Sequence, residues 1–60
     1  MSDYDRLVRR LMLTPRQKHV MELLYRQNLT ALEAAERLGY SEATVNREHR
    51  AILEKAMAAL

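Results

Sequence analysis

Between Ser41 and Arg50 the chain reads SEATVNREHR, and this stretch holds most of the side chains whose type and spacing suggest chemistry. Asn46 carries a carboxamide that donates and accepts in one plane, which fits the edge of adenine. Arg47 and Arg50 carry planar guanidinium forks that fit the two acceptors of guanine. At 3.6 residues per turn, Glu42, Ala43, Asn46, Arg47 and Arg50 fall on the exposed side near the start of one helix, within reach of base edges. Ser41 and Thr44 place hydroxyls where the first backbone amides of that helix point outward, and Tyr40 precedes them. These three, with Thr30 at the start of the preceding helix, suit phosphate oxygens. Glu42 and Glu48 oppose phosphate contact, unless Glu42 accepts from cytosine or Glu48 pairs with an arginine. The plainer alternative for Arg47 and Arg50 is a solvated pair balanced by neighbouring glutamates.

Other chemistries find little support. His19 and His49 are far apart in sequence, there is no cysteine and no HExxH arrangement, so neither metal nor cofactor is expected. No nucleophile–base pair or glycine-rich phosphate loop stands out, and Glu33 and Glu36 suit the solvated face of a short helix. An enzyme is not expected. No apolar run approaches the roughly 20 residues that span a bilayer, so no membrane partner is expected. The opening Ser-Asp-Tyr-Asp is acidic and unlike a secretory signal, which makes the cytoplasm the expected location.

The elements that must position these residues are helices. Sixty residues allow a single domain, residues 1–60, of marginal stability. Ser2 can cap a first helix to about Met12, with Asp3 and Asp5 at its positive end and Tyr4, Leu7, Val8, Leu11 and Met12 as its apolar stripe. Arg6, Arg9 and Arg10 fall off that stripe, either solvated or facing phosphates or an acidic partner. Thr14-Pro15-Arg16-Gln17 is a capping box opening a second helix over about 15–27. Val20, Leu23, Leu24 and Gln27 line its inner face beside Met21, and Asn28 suits its stop.

A second capping box, Thr30 to Glu33, opens a short third helix over about 31–38, with Leu32, Ala35 and Leu38 expected inward. Gly39 ends it, and Ser41 caps a fourth helix from about Glu42 to Ala58. Tyr40 and Val45 are placed for a hydrophobic staple. Val45, Ile52, Leu53 and Ala56 form the inner stripe of the fourth helix, with His49 or Glu48 at the intermediate turn. The fold class expected is therefore all-α: a compact four-helix domain containing a helix-turn-helix over about 30–52. Within it, Ala35 admits the next helix, Gly39 turns the chain and Val45 plugs the second helix into the core.

Leu13 to Ala56 resembles region four of bacterial sigma factors and, equally, the LuxR-type response-regulator output domain. The shared features are the Leu13-Thr14-Pro15-Arg16 opening and the Ser41-x-x-Thr44-Val45 start of the last helix. Tyr40 to Ile52 is closer still to small phage late-gene regulators of the ArpU type. Glu48 and Asn46 depart from the LuxR pattern, which has histidine and often lysine there. Asn28 to Ser41 is similar to the DNA-binding part of phage small terminase subunits. These resemblances imply sequence-specific binding of double-stranded DNA, as a small prokaryotic or phage transcriptional regulator. The alternatives are a module that binds RNA polymerase or a sigma factor, and the DNA-binding part of a small terminase.

Charge alone does not decide between them. The net charge is +2, but residues 1–30 carry +3 and residues 31–60 carry −1, so the basic surplus lies outside the half expected to read DNA. Leu53, Met57 and Leu60 extend the apolar stripe of the last helix beyond what a small core needs. They form either a homodimer seam, as the LuxR resemblance implies, or packing onto the first helix.

Overall fold

Ser2 accepts from the Asp5 amide and opens α1, Asp3–Leu11, in a computed structural model that describes residues 2–59. Met12 closes it with a left-handed backbone at φ 53°. Thr14 opens α2, Pro15–Met21, through a complete capping box with Gln17. Thr30 and Glu33 form the equivalent box at α3, Ala31–Leu38. Ser41 caps α4, Glu42–Ala58. Each hydroxyl satisfies an amide that the helix cannot pair internally. Leu60 lies outside the described residues, so its expected place in an apolar seam is not addressed by the structure.

The second helix departs from expectation after Met21. Glu22–Arg26 forms a π-helical turn, with the Gln27 amide bonded to the Glu22 carbonyl at 3.2 Å. One extra residue in the turn rotates everything beyond it. Leu23 still reaches the core, but Gln27 comes out exposed instead of lining the inner face. Asn28 then reverses the chain at φ 55°, as its tolerance of left-handed backbone allows.

The core consists of Leu11, Leu13, Val20, Met21, Leu23, Ala34, Ala35, Val45 and Ile52. Val20 and Val45 are fully buried and lie where α2 and α4 meet. Ala34 and Ala35 are also buried, and their small side chains let α3 and α4 cross closely. That crossing sets the inward stripe of α3 at 31, 34, 35 and 38. Leu32 is therefore 54% exposed, contrary to the inward place expected of it. Met12 leaves the α1 stripe because its left-handed turn swings it out, and it too is exposed. Leu53, expected in the inner stripe of α4, is 45% exposed, because it lines an open groove between α1 and α4 that the two helices do not close.

Lys55 locks the corner between α1 and α2 to α4. Its ammonium donates to the Met12 carbonyl at 3.2 Å and to the Gln17 side-chain carbonyl at 2.7 Å. On the other side, Arg26 lies 5.1 Å from the centre of the Tyr4 ring, and the Tyr4 hydroxyl donates to Glu22 at 3.5 Å. Burial, with the Glu22 charge beside it, raises the pKa of the Tyr4 hydroxyl. The first device ties α4 to the α1–α2 corner and the second ties α1 to the π turn, and neither uses the outer face of α4.

Candidate nucleic-acid interface

The outer face of α4 is built by subtraction. Val45 and Ile52 are buried, and a residue two positions away from either points about 200° around the helix. Ala43, Arg47, Arg50 and Glu54 all stand in that relation, and all four are exposed. Asn46 is also exposed and lies toward one flank. Glu42 is exposed in the first turn, where the positive end of the helix favours its charge. The structure thus places Glu42, Ala43, Asn46, Arg47 and Arg50 together in solvent over the first half of α4. Among the described residues, neither Arg47 nor Arg50 has a carboxylate within 4.0 Å.

The helix-turn-helix corner is held by Gly39 at φ 76°, a backbone that residues with a Cβ rarely adopt. The Tyr40 amide bonds back to the Ala35 carbonyl at 2.9 Å and completes the turn. The Ser41 hydroxyl accepts from the Thr44 amide at 3.1 Å and donates to the Thr44 hydroxyl at 2.9 Å. Ser41 is therefore committed to its cap, while the Thr44 hydroxyl keeps its proton for an external acceptor. Thr30 is likewise engaged, accepting from the Glu33 amide at 3.1 Å. The Thr30 amide donates to the Glu33 carboxylate at 2.9 Å and, with the Thr30 hydroxyl, lowers the pKa of that carboxyl. A carboxylate thus sits beside Thr30, which disfavours an anion there.

Two contacts at this face were not legible in the local pattern. Arg16 from α2 lies 5.1 Å from the centre of the half-buried Tyr40 ring and 4.0 Å from Glu48. Glu48 thereby has an arginine partner, the condition under which its charge is tolerable beside phosphates. Tyr25, from the π turn, is hydrogen-bonded to His49 Nε2 and meets its ring edge-on, with centroids 5.5 Å apart. This pair ties the π turn to α4 at His49. Neither pair shares a helix, so no periodicity announces it. The aromatic types of Tyr25 and Tyr40, beside a helix carrying both charges, were the available signal.

Leu53 and Met57, expected in a dimer seam or against α1, lie on the second half of α4. Leu7, Arg10, Ala56 and Ala59 complete an open apolar groove with them. Packing onto α1 covers neither fully: Met57 is 74% exposed. Among the described residues, no three His, Asp or Glu side chains converge as a metal site requires. None of the described helices is long and apolar enough to cross a membrane.

The family model of sigma-70 region 4 matches residues 12–60, which takes in α2, α3 and α4 and leaves α1 outside. No curated protein and no solved structure matches the chain.

Proposed function

The chain belongs to the sigma-70 region 4 family, and from that premise we propose that it binds double-stranded DNA sequence-specifically, as a small transcriptional regulator of prokaryotic or phage origin. Helix α4 enters the major groove, α3 crosses the phosphate backbone, and α1 and α2 brace them. Asn46, Arg47 and Arg50 read base edges, with Glu42 and Ala43 beside them. Tyr40 and Thr44 face one phosphate strand, while Ser41 and Thr30, both engaged in their caps, hold the helix starts beside it. The observation that carries this reading is the pair Arg47 and Arg50. Both are exposed opposite the buried Val45 and Ile52, and neither has a carboxylate partner among the described residues.

Selection of bound sites from random duplexes, followed by titration across salt concentrations, tests the proposal. With three to five phosphate contacts per protomer, log K falls against log salt with a slope of about −3 to −4.5. The proposal fails if no duplex is bound in a salt-sensitive way.

A second reading, docking onto RNA polymerase or a sigma factor, is favoured by Arg6, Arg9 and Arg10. All three are exposed on α1 without a carboxylate within 4.0 Å among the described residues. Binding of purified polymerase in the absence of DNA, lost on replacing these arginines, would favour it.

A further inference from the structure

Along the outer edge of α1, Asp3, Leu7 and Arg10 follow one another at helical spacing and all are exposed. Read from either end, the line runs from one charge through an apolar residue to the opposite charge. Asp3 and Arg10 are separated by about 10 Å along the helix axis, too far to pair with each other. Among the described residues, Asp3 has no cation and Arg10 no carboxylate within 4.0 Å. Arg10 is held at the rim of the groove by a 3.5 Å bond to the Ala59 carbonyl. Beside this line lies the open apolar groove, where Leu7, Leu53 and Met57 remain 41%, 45% and 74% exposed.

We propose that this face binds a second copy of the chain, with the two α1 helices antiparallel about a two-fold axis near Leu7. The axis places Asp3 against Arg10 of the partner subunit, and Arg10 against Asp3 of the partner subunit, in a single step. Leu7 meets its own counterpart, and Leu53 and Met57 close over the seam from α4. Such an interface is isologous, so it saturates at two copies. A standard interface takes about 800 Å² from each partner, against a total surface of 4422 Å² for this chain. The edge of α1 and the second half of α4 form this face without using Arg47. The dimer presents two α4 helices, and its existence does not depend on whether they read DNA.

Sedimentation equilibrium of the whole chain from micromolar to millimolar concentration, in low salt, provides the test. The unmodified chain is expected to show a monomer–dimer equilibrium. Asp3→Arg and Arg10→Asp each create like charges at two symmetry-related contacts and weaken association about tenfold. The double variant Asp3→Arg/Arg10→Asp restores association. Both reversals oppose the α1 dipole, so the restoration cannot come from a better helix. Met57→Lys abolishes the dimer while leaving the helical circular dichroism and the melting of the monomer unchanged. A chain that stays monomeric throughout overturns the proposal, as does a double variant no better than the single ones. So does association indifferent to Met57→Lys, or a monomer that uses Met57 only to bind purified polymerase.

Discussion

Lys55 Nζ donates to Gln17 Oε1 at 2.7 Å, and the same oxygen accepts the Thr14 amide at 3.1 Å. One buried carboxamide oxygen thus caps α2 and anchors the second half of α4. The direction in which α4 leaves the core is set partly here, far from the face that faces DNA in the proposed function. Lys55→Met is expected to cost about 1 kcal/mol, and Gln17→Ala about 1–3 kcal/mol because the cap is lost as well. The double variant costs less than the sum, since the two residues share the bond. Urea unfolding followed by circular dichroism measures all three.

Gly39→Ala is expected to destabilise the chain by about 1–2 kcal/mol. A Cβ at this position would meet nothing within 4 Å, so the cost comes from the backbone at φ 76° and not from crowding. Gly39→Asn therefore costs less, because asparagine tolerates the left-handed region. Equal destabilisation by the two replacements, measured by thermal melting, would contradict this account.

The four caps and both left-handed polar or glycine stops were legible in the sequence because each is settled within about four residues. Ser2, Thr14, Thr30 and Ser41 all accept the amide expected of them. Asn28 and Gly39 take positive φ. The errors lie where a partner helix decides. Leu32 is displaced from the core by Ala34 and Ala35, whose size matters only once α4 crosses them. Gln27 is displaced by the π turn, an insertion that a fixed 3.6-residue period cannot register. At the outer face, the exposure of Asn46, Arg47 and Arg50 followed from period alone. The Arg16 contacts to Tyr40 and Glu48 join residues from different elements and had no local signal.

The two capping boxes make a matched pair for pH. The Thr30 amide, reinforced by its hydroxyl, holds the Glu33 carboxyl below its ordinary value of 4.5. The unfolded chain therefore takes up the proton first as pH falls. The stabilisation is fully present above about 4.5 and is lost as pH drops through the lower folded value. The melting temperature of Glu33→Ala is expected to fall below that of the unmodified chain at pH 7, with the gap closing below pH 4.5. The corresponding gap for Gln17→Ala stays constant over the same interval, because the carboxamide at that box does not titrate.

Arg47 and Arg50 separate base reading from simple charge. If each guanidinium spans two acceptors of a guanine, Arg47→Ala or Arg50→Ala weakens binding to the selected site by about 1–3 kcal/mol. Lysine at either position keeps the charge but loses the planar fork. Arg47→Lys is then expected to retain most of the salt dependence while losing discrimination at one base pair. A phosphate contact behaves in the opposite way: lysine substitutes well, and alanine lowers the salt slope by about one across all sequences. Glu48 offers an internal control, since it sits 4.0 Å from Arg16 and is mostly shielded from solvent. Glu48→Gln leaves base preference unchanged and tightens binding to every duplex, because it removes a negative charge beside the phosphates. Binding isotherms on the selected site and on a scrambled duplex, each at three salt concentrations, distinguish these cases. Equal loss on both duplexes for Arg47→Ala and Arg50→Ala would assign the two arginines to phosphates and move base recognition to Asn46.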